Sequence, residues 1–155
     1  MDTKREMLRH TLSTLAYRAN RALENSSEAF GAFDGCGKPP VVILAHMGDL
    51  MEWALSMAEG NSRWQNSSPL AWQDEQSRFF AALTALDQFL ALGRELKAPP
   101  ERLFQGPVAD ALTHVGQLAM LRRLAEESIR GENFFLAEIT LGKTGSEQAA
   151  PKKTF

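Results

Sequence analysis

Apolar residues recur along the chain at steps of three and four, and stretches with the two-residue alternation of strands are nearly absent. This pattern predicts a first helix over about 3–30, a second over about 40–59 and a third over about 73–97. A fourth begins at Gly106-Pro107 and ends near residue 130. Four long helices without credible strands predict an all-α fold, and within that class a four-helix bundle.

Prolines and glycines mark where these helices begin and end. Pro39-Pro40 suits the first turn of the second helix, and Gly60 suits its C-terminal stop. The third helix stops before Pro99-Pro100, because the residue before a proline is pushed out of the helical region. Residues 101–105 form a short turn that can itself be helical.

Length and composition fit a single domain. The chain has 155 residues, of which 44% are apolar, and this is enough for a sizeable core. We expect residues 1–155 to form one domain in which about 132–155 are an irregular C-terminal extension packed on the bundle. Its one apolar stretch is Phe134 to Ile139.

Charge and targeting signals narrow the class of protein. The formal net charge of −2 provides no basic surplus for nucleic acid, and no polybasic stretch suits a membrane surface. The charged N-terminus leads into no signal-like apolar run, and residues 39–50 are too short to span a bilayer. We therefore expect a cytoplasmic protein. A single cysteine, Cys36, excludes an internal disulfide, and no histidine lies near it in sequence to activate it.

Polar residues on faces that should be buried are the candidates for chemistry. His46 lies within the apolar stripe of the second helix, between Ile43 and Leu50. Asp110 and His114 are four residues apart, so both project from one flank of the fourth helix with a rise of about 6 Å between them.

Such a pair can offer two ligands to a metal ion, with a third from a facing helix, and His46 is the candidate for that third ligand. Two histidines and one carboxylate leave coordination positions open, as a catalytic site requires. Two alternatives stay open on spacing alone. Asp110 and His114 can form a routine hydrogen bond, and His46 can be a core histidine bonded to a carbonyl. Asp49, three residues after His46, can be a ligand, a partner of a ligand or a solvated charge.

Several neighbours have two interpretations each. Gln117 can bond a ligand or be a surface amide. Arg122 and Arg123 can place a guanidinium near the site or complement the helix dipole. Trp64 and Trp72 are expected to cap the core, with a pocket wall as the alternative.

Three segments carry a resemblance to a known family. Residues 43–50, Ile-Leu-Ala-His-Met-Gly-Asp-Leu, followed by Trp53-Ala54, resemble the first metal-ligand helix of the DinB/YfiT-like metalloenzymes. Residues 109–118 resemble that family's later ligand helix, in which a ligand pair four residues apart ends in a histidine shortly before Gly-Gln. Residues 131–139, then Gly142, are similar to the tail of some members.

The resemblance implies a four-helix bundle with a divalent metal ion, such as Zn, Ni, Fe or Mn, held by three side chains. Carried over by position, the ligands are His46, Asp110 and His114. Asp110 stands where many relatives have histidine. It lowers the charge of the bound centre by one unit, and it can change which metal is held or mark a relative whose site has decayed.

The implied chemistry is that of thiol-dependent transferases and isomerases, or metal-assisted hydrolysis, on a small-molecule substrate such as a low-molecular-weight thiol. The alternative is a non-catalytic, stress-associated interaction bundle with a vestigial metal site. Pairing of two bundles through a helix face would give a homodimer.

Overall fold

The computed structural model describes residues 2–155, and every long element among them is a helix. Their bounds are α1 (Thr3–Leu23), α2 (Glu28–Gly31), α3 (Pro40–Ala58), α4 (Trp72–Ala91), α5 (Pro100–Leu103) and α6 (Ala109–Leu124), with a π-helical turn (Phe104–Val108) and a 3₁₀ turn (Phe134–Leu136). The only β pairing in the described part of the chain is an isolated bridge between Glu132 and Thr154. The predicted all-α class is confirmed.

Three of the four long helices end earlier than predicted, and a residue in the left-handed backbone region follows each of them. After Leu23 the chain reaches Asn25, whose φ is 57°. Gly93 follows α4 with φ 67°, and Glu126 follows α6 with φ 60°. A residue in this conformation stops an α-helix, so the predicted ends near 30, 97 and 130 were wrong.

The fourth predicted helix begins earlier than expected. Helical backbone runs from Pro100 through α5 and the π-helical turn into α6, with Pro107 inside the wider turn. Proline has no N–H to donate, and its ring clashes with the carbonyl four residues before it in a regular α-helix. The π-helical turn accommodates that ring, and such turns are often found near functional sites.

The core lies where the four long helices meet. α3 packs against α4 and α6, and α1 packs against the same two helices. α3 is also long and apolar enough to cross a membrane. Because 61% of that stretch is buried within the fold, its apolar composition is explained by the core.

The segment after α6 folds back over α1 and α4. The Tyr17 hydroxyl donates to the Glu132 carboxylate, and Arg21 also bonds Glu132, at 3.2 Å. Burial raises the pKa of Tyr17, and its hydrogen bond to Glu132 raises the pKa further. The hydroxyl therefore stays protonated and able to donate. Further along, the hydroxyls of Thr84 and Thr144 lie 2.9 Å apart.

A cluster of four charged side chains joins α3 to α4. We call Arg78, Asp49, Glu52 and Glu75 the Arg78 cluster. Arg78 donates to Glu75 at 2.7 Å, and to Asp49 and Glu52 at 3.0 Å each. It also donates to the carbonyl of Ala45 at 2.7 Å. Burial alone would lower the pKa of Arg78, but the bonds to Glu75 and Asp49 outweigh it and raise the pKa, so the guanidinium stays charged.

Gly48 makes room for this guanidinium. A Cβ atom at Gly48 would lie 2.9 Å from the Cζ atom of Arg78. The guanidinium cannot move aside without breaking its bonds to the surrounding acceptors. A glycine inside α3 therefore allows Arg78 to lie against the helix, at a cost in helix propensity of up to about 1 kcal/mol.

Replacing Arg78 with alanine should lower the free energy of unfolding by about 3 kcal/mol, because Asp49 and Glu75 would remain buried without their counter-charge. Urea unfolding followed by circular dichroism measures this. The matched control is Arg63→Ala at an exposed position, expected to change stability by less than about 0.5 kcal/mol. Equal stabilities of the two variants would contradict the account.

Candidate metal centre

His46 is placed by the packing of α3. Ile43, Met47 and Leu50 are buried in the core, and they fix how α3 is rotated about its axis. His46 lies at the edge of this buried face, with 37% of its side chain exposed. The imidazole therefore points along the boundary between α3 and α6 rather than into the core.

Asp110 and His114 are placed in the same way by α6. Ala111, Val115 and Leu118 are buried and set the rotation of this helix. Asp110 lies in the first turn, and one of its carboxylate oxygens, Oδ1, is 3.3 Å from Nε2 of His114. The pair occupies the flank of α6 that faces α3.

The three predicted ligands converge. Nε2 of His46 lies 3.4 Å from Oδ2 of Asp110, and the two imidazole rings are 5.0 Å apart and nearly perpendicular. One donor atom from each residue can be chosen so that all three lie within 4.8 Å of one another. We call His46, Asp110 and His114 the triad. These side chains can hold a metal ion.

The donor atoms lie close to the spacing that a small divalent cation requires. At metal–ligand distances near 2.1 Å and tetrahedral angles, two donor atoms lie about 3.4 Å apart. Oδ2 of Asp110 lies 3.4 Å from Nε2 of His46, and Oδ1 lies 3.3 Å from Nε2 of His114, so each contact has this separation through a different oxygen of the carboxylate. With one donor atom from each residue, the three atoms lie within 4.8 Å of one another. Two imidazoles and one carboxylate suit Zn, Ni, Fe and Mn.

Gln117 orients one of the histidines. Its Oε1 lies 2.8 Å from Nδ1 of His114, one turn along α6. When Oε1 accepts the Nδ1 proton, Nε2 carries the lone pair and points at Asp110. This is the arrangement in which metal-binding histidines are usually held. The structure therefore supports the interpretation in which Gln117 bonds a candidate ligand, His114, over the interpretation in which it is only a surface amide.

Asp49 is not part of the triad. Its oxygens accept from Arg78 at 3.0 Å and from the Ser67 hydroxyl and backbone N–H at 2.6 and 2.9 Å. The structure therefore does not support the alternative in which Asp49 is a metal ligand. Its role is to fasten the loop after α3.

That loop brings Trp64 to the site, so the expectation that Trp64 caps the core was wrong. The Trp64 ring lies edge-on to His46, with centroids 5.6 Å apart, and packs against Trp53 at 5.5 Å. Trp64 is 45% exposed, so it covers the rim of the site rather than the core. Loop residues have no periodicity to reveal this. Trp72, in contrast, is buried in the core as expected.

Arg122 lies away from the triad. Its buried guanidinium donates to the carbonyls of Glu127, Ala22 and Glu24 at 2.7, 3.0 and 3.2 Å. It therefore ties the end of α6 to the end of α1. The interpretation in which Arg122 serves the site was wrong.

Comparison with known proteins gives no relative: no family model, no curated protein and no solved structure matches the chain. The resemblance to the DinB/YfiT-like family therefore stays a prediction.

His46→Ala and Asp110→Asn should each weaken binding of Zn²⁺ by more than about 100-fold, since each removes a ligand rather than an outer partner. Isothermal titration calorimetry of chelator-stripped protein measures this, with one site expected in the unaltered chain. His10→Ala is the control, because His10 is the third histidine of the chain and is exposed on α1. If His46→Ala binds Zn²⁺ as tightly as the unaltered chain, His46 is not a ligand of the ion.

Gln117→Leu should weaken Zn²⁺ binding by about 10-fold, because His114 loses the acceptor that orients its ring. Gln117→Glu keeps an acceptor of the same length and should retain most of the affinity. Competition with a chromogenic chelator distinguishes the two variants. If both bind as the unaltered protein does, Gln117 has no role in orienting His114.

Proposed function

We propose that this chain is a divalent-metal-dependent enzyme, built as a four-helix bundle of the DinB/YfiT-like kind, whose ion is held by His46, Asp110 and His114. The observation that carries the proposal is the approach of one donor from α3 to two donors from α6, with all three within 4.8 Å of one another. Its substrate is a small molecule, with a low-molecular-weight thiol as one candidate.

The exposure of the triad supports a catalytic rather than a closed structural site. Asp110 is 46% exposed in its side chain, and a cavity of about 290 Å³ lined by His46 and His114 opens beside it. A divalent ion held there supplies Lewis acidity, which lowers the pKa of an approaching water or thiol.

The surrounding side chains have supporting tasks. Gln117 holds the His114 ring in place, and Ile43 and Trp64 provide apolar surface at the site. Apolar walls reduce the water around reacting groups and so strengthen local electrostatic interactions.

One observation favours the second candidate, a non-catalytic interaction bundle. Oδ2 of Asp110 lies 3.4 Å from Nε2 of His46, which also suits a weak hydrogen bond, and Oδ1 lies 3.3 Å from Nε2 of His114. In this case the triad would be a polar tie between α3 and α6 that needs no ion.

Activity that depends on both the ion and the triad distinguishes the two candidates. Hydrolysis of p-nitrophenyl acetate, and conjugation of glutathione to chlorodinitrobenzene, are measured after loading with Zn²⁺, Mn²⁺, Ni²⁺ or Fe²⁺. We expect at least one metal to raise one rate about 100-fold, equivalent to about 3 kcal/mol of transition-state stabilisation. His46→Ala should abolish the gain and His10→Ala should keep it. A gain that persists in His46→Ala would contradict the proposal, and no gain with any metal would favour the polar tie.

A further inference from the structure

A larger cleft continues from the triad along α6. It has a volume of about 720 Å³, and it lies between α6 and the loop that precedes α3. Lys38, Ile43, His114 and Gln117 line both this cleft and the smaller cavity beside His46. The two spaces therefore adjoin at the triad, and a molecule in the cleft would have one end at the metal centre.

The far part of the cleft is apolar and exposed. Met120 and Leu124 are one turn apart on α6, each is 55% exposed, and Leu121 lies beside them. Exposed apolar surface that lines a cavity is typical of a binding groove. From His114 to Leu124 the helix rises about 15 Å, so the groove suits an elongated apolar molecule.

The part of the cleft nearest the triad carries one positively charged side chain, that of Lys38. Lys38 is exposed, and no carboxylate within the described residues lies within ion-pair distance of it. In the described part of the chain, the one acid that lines these cavities, Asp49, bonds Arg78. In the loop itself, the Asp34 carboxylate accepts the backbone N–H of Gly37 at 2.8 Å and forms no ion pair with Lys38. Lys38 therefore presents a positive charge without an ion-pair partner where the two spaces meet.

We propose that this cleft binds an amphipathic carboxylate, with the carboxylate at Lys38 and the hydrocarbon chain along Leu121, Met120 and Leu124. The assignment rests on the proposed function, because it names the substrate class of that same site. Charge at one end and apolar surface along the rest distinguish this ligand from a neutral lipid and from a hydrophilic acid.

The position of Cys36 provides a direct test. It is the only cysteine of the chain, it is exposed, and it lines the cleft. Its alkylation by iodoacetamide is followed by mass spectrometry with decanoate below its micelle concentration and with EDTA present. We expect saturating decanoate to slow the reaction about fivefold or more. Decanol and decylamine should bind at least about threefold more weakly than decanoate, because neither has the negative charge that Lys38 attracts.

Three variants locate the binding mode, each compared with its own ligand-free rate. Lys38→Met should weaken decanoate about threefold and leave decanol unchanged. Leu124→Ser should weaken both ligands about tenfold, because it removes apolar contact. Met7→Ser is the control, since Met7 is an exposed apolar residue on α1 that lines a different pocket. This variant should leave the binding of both decanoate and decanol unchanged.

Three results would overturn the proposal: no slowing by decanoate, equal slowing by decylamine, or Cys36 protection that rises with protein concentration alone. The last would show that a second copy of the chain covers the cleft. Because the assay contains EDTA, its outcome is independent of metal binding. A chain that binds decanoate but no ion would contradict only the proposed enzyme.

Discussion

The packing of α3 against its neighbours is the constraint on which the candidate centre depends. Buried Ile43, Met47 and Leu50 fix the rotation of α3, and His46 at the edge of this face is turned toward α6 as a consequence. Val115 on α6 has the corresponding effect for Asp110 and His114. The centre therefore forms through the same apolar contacts that stabilise the fold, and its side chains remain partly exposed because they lie at the boundary of the core.

Polar contacts behind the site hold its rim. Arg78 on α4 bonds Asp49 on α3, and Asp49 in turn accepts two hydrogen bonds from Ser67 in the following loop. That loop carries Trp64 to the edge of His46. A carboxylate one turn from a candidate ligand thus stabilises the loop that borders the centre. Its near-complete burial and full set of partners explain why it takes no part in the triad.

Periodicity was sufficient to predict the long helices, and it placed His46 and the pair on α6 at the edges of buried stripes. Spacing alone left other roles open for these three residues, and the resemblance to the DinB/YfiT-like family was needed to predict them as one group. Periodicity could not predict helix ends at Asn25 and Glu126, since non-glycine residues there adopt positive φ. The bonds of Arg78 and the position of Trp64 depend on contacts between distant segments. Such contacts have no signature in local spacing, so they required the structure.

The central claim is that one cation binds between α3 and α6. Anomalous diffraction at the zinc edge, from crystals of Zn²⁺-loaded protein, tests it directly. The account predicts one strong peak within bonding distance of Nε2 of His46, Nε2 of His114 and an oxygen of Asp110. A peak at any other set of side chains, or an ordered His46–Asp110–His114 group with no peak beside it, would contradict the account.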